Sequence, residues 1–228
     1  RNEVPTIGVE EEFHLIDPQT AELIPGMAAL SEHLDPQMQA SVCRELFECV
    51  IENRVGVFET VEGLVQSSLD GRRKLDQACG KIGLRLAAGA SHPFGQWRDL
   101  MVADDEHYRH VVDTYGYVAK RLLSFGLHIH VGVRSAAEAI YVMARMRPWI
   151  YALMAMSTNS PFFEGMQTGL QSTRMHLFFP MPSTLLPPRF ATWDQRHAHY
   201  HALLTAGAVA PPGVIWRTIR PPPPLATA

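Results

Sequence analysis

From Phe125 to Val133 the chain alternates strictly. Phe125, Leu127, Ile129, Val131 and Val133 are apolar, and Gly126, His128, His130 and Gly132 fall between them. Side chains alternate across a strand, so this segment predicts a strand with one apolar face and one face of imidazoles and glycines. A segment near the N-terminus is built alike. Ile7, Val9, Phe13 and Leu15 line one face, interrupted by Glu11, while Glu10, Glu12 and His14 line the other. After a turn at Asp17-Pro18-Gln19-Thr20, Leu23-Ile24-Pro25 predicts a hairpin return. Residues 44–58 predict one or two strands, with Leu46, Glu48, Val50, Glu52 and Arg54 on one face. Leu64, Val65, Leu69, Leu75, Ala78 and Ile82 recur near the helical period and predict a helix over 61–83. A short strand over 84–88 follows. A helix over 104–123, opened by Asp104 and Asp105 as cap and dipole partners, leads into the histidine strand. Residues 136–157 predict a helix kinked at Pro148, with Met143, Met146, Met154 and Met156 expected in the core. The run Pro221 to Pro224 excludes helix and central strand. The pattern predicts a single α+β domain over 1–228, with an antiparallel sheet polar and ligand-binding on one face and packed by helices on the other.

The polar faces carry the chemistry. Adjacent carboxylates repel unless a positive charge lies between them, and a divalent cation is the usual remedy. Glu10 and Glu12, together with His128 and His130, therefore predict the floor of a metal site. Plain alternatives exist: an exposed sheet face for the glutamates, and core positions satisfied by backbone for the histidines. Glu48 and Glu52 are four apart, which also suits a helix-surface pair, although Val50, Ile51, Val55 and Val57 favour a strand. His14 shares the carboxylate face and is expected at the rim of the site. His197, His199 and His201 would spread around a helix axis, so no metal site is expected there.

Composition narrows the partners. A 228-residue chain with 46% hydrophobic content can bury a full core. Net charge is −3, the pI is about 6.4, and no basic block is longer than Arg72-Arg73-Lys74. Neither nucleic acid nor an anionic membrane is an expected partner. The three cysteines, Cys43, Cys49 and Cys79, fit no metal or redox spacing, and no apolar run reaches the length of a membrane span. A cytoplasmic protein with reduced, buried thiols is expected.

Gly8-x-Glu10-x-Glu12-Phe13 and Gly126-x-His128-x-His130, in this order, resemble the paired signatures of the glutamine synthetase superfamily. Glu48-Cys-Val-Ile-Glu52, Gly89-Ala-Ser-His92-Pro93-Phe94 with Trp97, and Ser160-Pro161-x-x-x-Gly165-x-x-Thr168 ending at Arg174 are similar to one branch, the carboxylate–amine ligases or glutamate–cysteine ligase type 2 family. The resemblance runs from about residue 6 to about residue 221. It implies a glutamine-synthetase-like sheet and an ATP-dependent ligase that activates a carboxylate as an acyl phosphate for attack by an amine. Glutamate and an amino acid such as cysteine are the implied substrates, Mg2+ (or Mn2+) the implied cofactor, and a homodimer the implied assembly. By the family's pattern Glu12, Glu48 and Glu52 would hold one cation, and Glu10 with His128 another. His130 and Arg220 would serve the nucleotide, and His92 and Arg174 would face the substrates. For His92 a turn role, and for Arg174 a structural ion pair, are the alternatives.

Two departures stand out. Val55 occupies a position usually Thr in such ligases, so a substrate hydrogen bond is in doubt. Beyond Ile219-Arg220-Pro221, relatives continue into a Thr-Leu-Glu-x-Arg strand that supplies a ligating Glu and a phosphate-binding Arg. Here prolines follow, and no Asp or Glu comes after Asp194, so the family's C-terminal part is expected to be missing. An inactive nucleotide- or metal-binding fragment acting as a partner or regulator is therefore the alternative reading. A zinc metallohydrolase built on the histidine strand is a third, weakened because such enzymes usually need a downstream Asp and only Asp194 follows the histidines.

Overall fold

The computed structural model describes residues 4–181, 184, 186–209 and 219. The chain divides into two compact units, Arg1–Gly132 with Asn159–Arg174, and Val133–Thr158 with Met175–Ala228. In chain order the first contains β1 (Ile7–Ile16), α1 (Met27–Ser31), α2 (Pro36–Ser41), β2 (Val42–Arg44), β3 (Val50–Phe58), α3 (Val61–Lys81), β4 (Arg85–Ala87), α4 (Glu106–Tyr115), α5 (Tyr117–Lys120) and β5 (Leu127–Val131). The second holds α6 (Ala136–Met146) and α7 (Ile150–Met156). A small hairpin, β6 (Phe162–Phe163) and β7 (Met166–Gln167), belongs to the first unit; α8 (Thr173–Phe178) begins there, and α9 (Trp193–Thr205) lies in the second. The architecture is mixed helix and antiparallel sheet, as the alternation predicts.

β1 is the centre of the main sheet. One edge pairs with β3, which pairs in turn with β2; the other edge is shared by β5 along Ile7–Glu11 and by β4 along His14–Ile16. Between Val9 and Glu10 the β1–β3 register slips, and Val55 is the extra residue of the resulting bulge. One face of the sheet is covered by α3. That helix is capped by the Thr60 side chain, which accepts from the Gly63 N–H, and carries Glu62 in its first turn and Lys81 in its last. Leu75, Ala78 and Cys79 pack on Phe13, Leu15 and Ile51, joined by Met27, Leu30, Leu34 and Met38. The helix lies close against β3 at Gly71, where a Cβ would stand 2.9 Å from the Asn53 amide nitrogen. Glu11, the polar interruption of the apolar face, is buried beneath α3 and takes two hydrogen bonds from Arg72, the Nε–Oε2 bond at 3.1 Å.

Several expectations need correction. Residues 45–49 form a turn rather than strand, which breaks the alternation that joined Glu48 to Glu52. The helix expected over 104–123 is broken at Gly116, whose φ of +53° ends α4 and starts α5. Asp105 alone caps it, accepting from the His107 N–H. The kink at Pro148 is present as a 3-10 turn, but of the methionines only Met143 is buried, and Met156 is 83% exposed. The apolar face of β5 is also open: Leu127 is 59%, Ile129 64% and Val131 48% exposed. Alternation fixes which residues share a face but not how far a helix layer extends, and α3 packs on β1, β3 and β4. No helix among the described residues is long and apolar enough to cross a membrane.

Candidate metal centre

Strand register assembles the site. Glu12 lies opposite Glu52 across β1–β3, and Glu10 lies opposite His128 across β1–β5. Cys43 of β2 lies opposite Glu52, and Glu45, just past the end of β2, brings its carboxylate to Glu12 and Glu52. Ligand atoms gather in two triads, Glu10/Glu52/His128 and Glu12/Glu45/Glu52, all within 4.8 Å of one another in each. Glu52 belongs to both.

The electrostatics mark a site built for positive charge. Burial, and then repulsion from Glu12 and Glu52, pushes the Glu45 carboxyl up to about 8. Burial also raises Glu12; His128, the Gly126 N–H and Arg174 oppose the rise, and Glu52 adds to it. Glu10 differs. Burial would raise it, but hydrogen bonds and charge from His130 and His128 together hold it below the ordinary carboxylate value. Its Oε2 lies 3.2 Å from His128 Nδ1 and 3.1 Å from His130 Nε2. Arg54 compensates Glu52 in part through a 2.9 Å Nε–Oε1 bond. Four carboxylates and one imidazole form an oxygen-rich donor set that suits Mg2+ or Mn2+ better than a thiophilic metal.

Arg174 is held beside this floor by a local network. Its backbone N–H donates to Ser160 Oγ at 3.2 Å and its Nε–H to the Phe125 carbonyl at 3.0 Å. Thr168 Oγ1 ties the preceding loop to Thr173 Oγ1 at 2.7 Å and to the Pro161 carbonyl at 3.0 Å. The next peptide after Phe125 completes the frame: the Gly126 N–H donates to Glu12 Oε2 at 2.7 Å.

Of the residues expected here, Glu10, Glu12, Glu52, His128 and His130 come together and Arg174 lies adjacent. Glu48 does not join them: its carboxylate pairs with Arg44 at 3.2 Å, and its carbonyl accepts from the Gly26 N–H. His92 is committed elsewhere. Its Nδ1 accepts from the Gly95 N–H at 2.8 Å, so its Nε2–H donates to the Ala21 carbonyl at 2.9 Å, leaving no nitrogen for a substrate. Ala21 has a φ of +59°, and His92 anchors that strained turn. Arg220 lies outside the described residues. His14 is not a rim residue. It is fully buried between flanking strands with its ring 3.6 Å from that of Phe125, and neither nitrogen has a hydrogen-bond partner among the described residues. Burial, and secondarily His92, lowers its pKa well below 6.5. Sequence reasoning missed Glu45, because its place depends on the β2–β3 register, with Cys43 facing Glu52, which no local pattern in the sequence gives.

The model of glutamate–cysteine ligase family 2 matches residues 6–222. A Solibacter usitatus protein that carries the provisional name glutamate–cysteine ligase 2 is 34% identical over 227 residues, covering 96% of this chain and 57% of that protein. A glutamate–cysteine ligase of Natronomonas pharaonis is 30% identical over 217 residues, 95% of this chain and 60% of the relative. The chain thus spans about six-tenths of the length of these curated relatives. Among solved structures, glutamate–cysteine ligase from Francisella tularensis in complex with AMP aligns with a TM-score of 0.49 at 10% identity, over 65% of this chain and 30% of that one.

Proposed function

This chain belongs to glutamate–cysteine ligase family 2, and from that premise we propose that it carries the catalytic face of an ATP-dependent carboxylate–amine ligase. One observation carries the reading: Glu52 is shared by two cation-ligand triads on a single sheet face. Glu12, Glu45 and Glu52 would hold one Mg2+ or Mn2+, and Glu10, Glu52 and His128 a second. Such cations neutralise phosphate charge, the main demand of phosphoryl transfer. His130, more than half exposed beside Glu10, would meet nucleotide phosphates in this reading. Arg174 presents a planar cation suited to a carboxylate or acyl phosphate.

In this reading the carboxylate is activated as an acyl phosphate. A substrate carboxylate oxygen attacks the γ-phosphorus of ATP and ADP leaves; an amine then attacks the acyl phosphate and inorganic phosphate leaves, giving an amide. Glutamate and an amino acid such as cysteine are the substrates the relatives' names suggest. Incubation with ATP, Mg2+, glutamate and pooled amino acids, followed by mass spectrometry, should show ADP together with a new amide. ADP release that is indifferent to amine, or no Mg2+-dependent ATP turnover, would overturn the proposal.

A further inference from the structure

We propose that Gly126 is a positioning residue that sets the spacing of Arg174, Glu12 and His128 through the side chain it lacks. The inference rests on the cation reading above. A Cβ at Gly126 would stand 3.2 Å from Arg174 Nη2, 3.4 Å from Glu12 Oε1 and 3.4 Å from His128 Nε2. A single methyl there would thus meet three functional groups that come from three separate elements.

Those groups are not free to withdraw. Glu12 is bonded through its other oxygen to the N–H of Gly126 itself, and Arg174 through Nε to the carbonyl of Phe125. His128 is tied to Glu10 through Nδ1. A methyl group would therefore press the Arg174 guanidinium by a few tenths of an ångström against its own hydrogen bond, and would stand in van der Waals contact with Glu12 Oε1 and His128 Nε2. Mg2+ demands near-ideal ligand distances, and ligand positions matter within roughly 0.2 Å. A contact that a packed core absorbs would deny Glu12 and His128 the small adjustments that a cation shell requires. The backbone itself raises no objection to a side chain, because the φ of Gly126 is not in the left-handed region.

This separates a positioning role from a packing role by the sign of two measurements. Where a glycine conformation suits alanine, the exchange stabilises by restricting the unfolded chain. Gly126→Ala should melt at or above the temperature of the parent chain, yet bind Mn2+ about tenfold to a hundredfold more weakly, the usual range for disturbing the groups that orient metal ligands. Gly80→Ala on α3, where a Cβ would meet nothing within 4 Å, should bind Mn2+ as the parent does. Free Mn2+ followed by electron paramagnetic resonance, with thermal melts alongside, reads both quantities. Unchanged Mn2+ affinity in Gly126→Ala, or a lowered melting temperature, would overturn the inference alone. Failure of the parent chain to bind Mn2+ would overturn the cation reading beneath it.

Discussion

Glu52 lies directly across the β1–β3 ladder from Glu12, and its carboxylate is the member common to both ligand triads. Its removal should therefore cost both cations, whereas Glu10→Gln should spare the triad of Glu12, Glu45 and Glu52. Calorimetric titration with Mn2+ should give two sites for the parent, one for Glu10→Gln and none for Glu52→Gln. Glu12→Gln should largely abolish the Mg2+-dependence of ATP binding. Equal ATP affinity with and without Mg2+ in the parent chain would refute the two-cation arrangement.

Glu45 and Glu48 provide a sharp contrast. The first sits among the clustered carboxylates and the second pairs with Arg44. Glu45→Gln should weaken Mn2+ binding at least tenfold, and Glu48→Gln should leave it within about twofold. A reversal of that order would restore the simple strand alternation and refute the turn at 45–49.

Without a cation, Glu45 makes the fold sensitive to alkali. The unfolded carboxyl releases its proton near 4.5, while the folded one keeps it until about 8. The folded state thus binds more protons in that interval, and its stability falls as pH rises from about 4.5 to about 8. Mn2+ takes the place of the proton and should restore the loss. Thermal midpoints measured across this range with and without Mn2+ check it, and Glu45→Gln should flatten the cation-free profile.

His14 acts in the opposite direction. Its folded pKa lies well below 6.5, so the unfolded chain takes up the proton first and stability falls as pH drops below that value. His14→Leu removes two buried nitrogens that have no partner among the described residues and should stabilise the chain by about 1–3 kcal/mol. Chemical denaturation should show a larger gain on the acid side of pH 6.5; a net loss would mean that the ring has a partner in solution.

Arg72→Met should cost about 2 kcal/mol, because it leaves the Glu11 carboxylate buried under α3 without its hydrogen-bonding partner. The double change Glu11→Leu with Arg72→Leu should recover most of that loss. Urea unfolding of the three variants reads the comparison.

The polar half of the site was legible because alternation on β1 and β5 is local and broken only at Glu11. Glu10, Glu12, His128 and His130 needed only a period of two. Glu45 was hidden because five residues of turn separate β2 from β3, and parity counted straight through a turn assigns the wrong carboxylate. His14 obeyed the alternation, yet whether a given position along a face is rim or core depends on which strands flank it. The bare face of β5 was illegible for the same reason: coverage by helices is a property of the layer above, not of the strand.

β1 has neighbours on both edges along its length, while β5 pairs with β1 and leaves its apolar side chains in solvent. The centre therefore works like a vice with one fixed jaw and one yielding jaw. Glu10, Glu12 and Glu52 stand on the clamped strands and should hold their distances better. His128 and His130 ride on the strand with least support. Accommodation of ligands of different size falls to the imidazoles, and slow amide exchange of β1 beside faster exchange of β5 would be its signature.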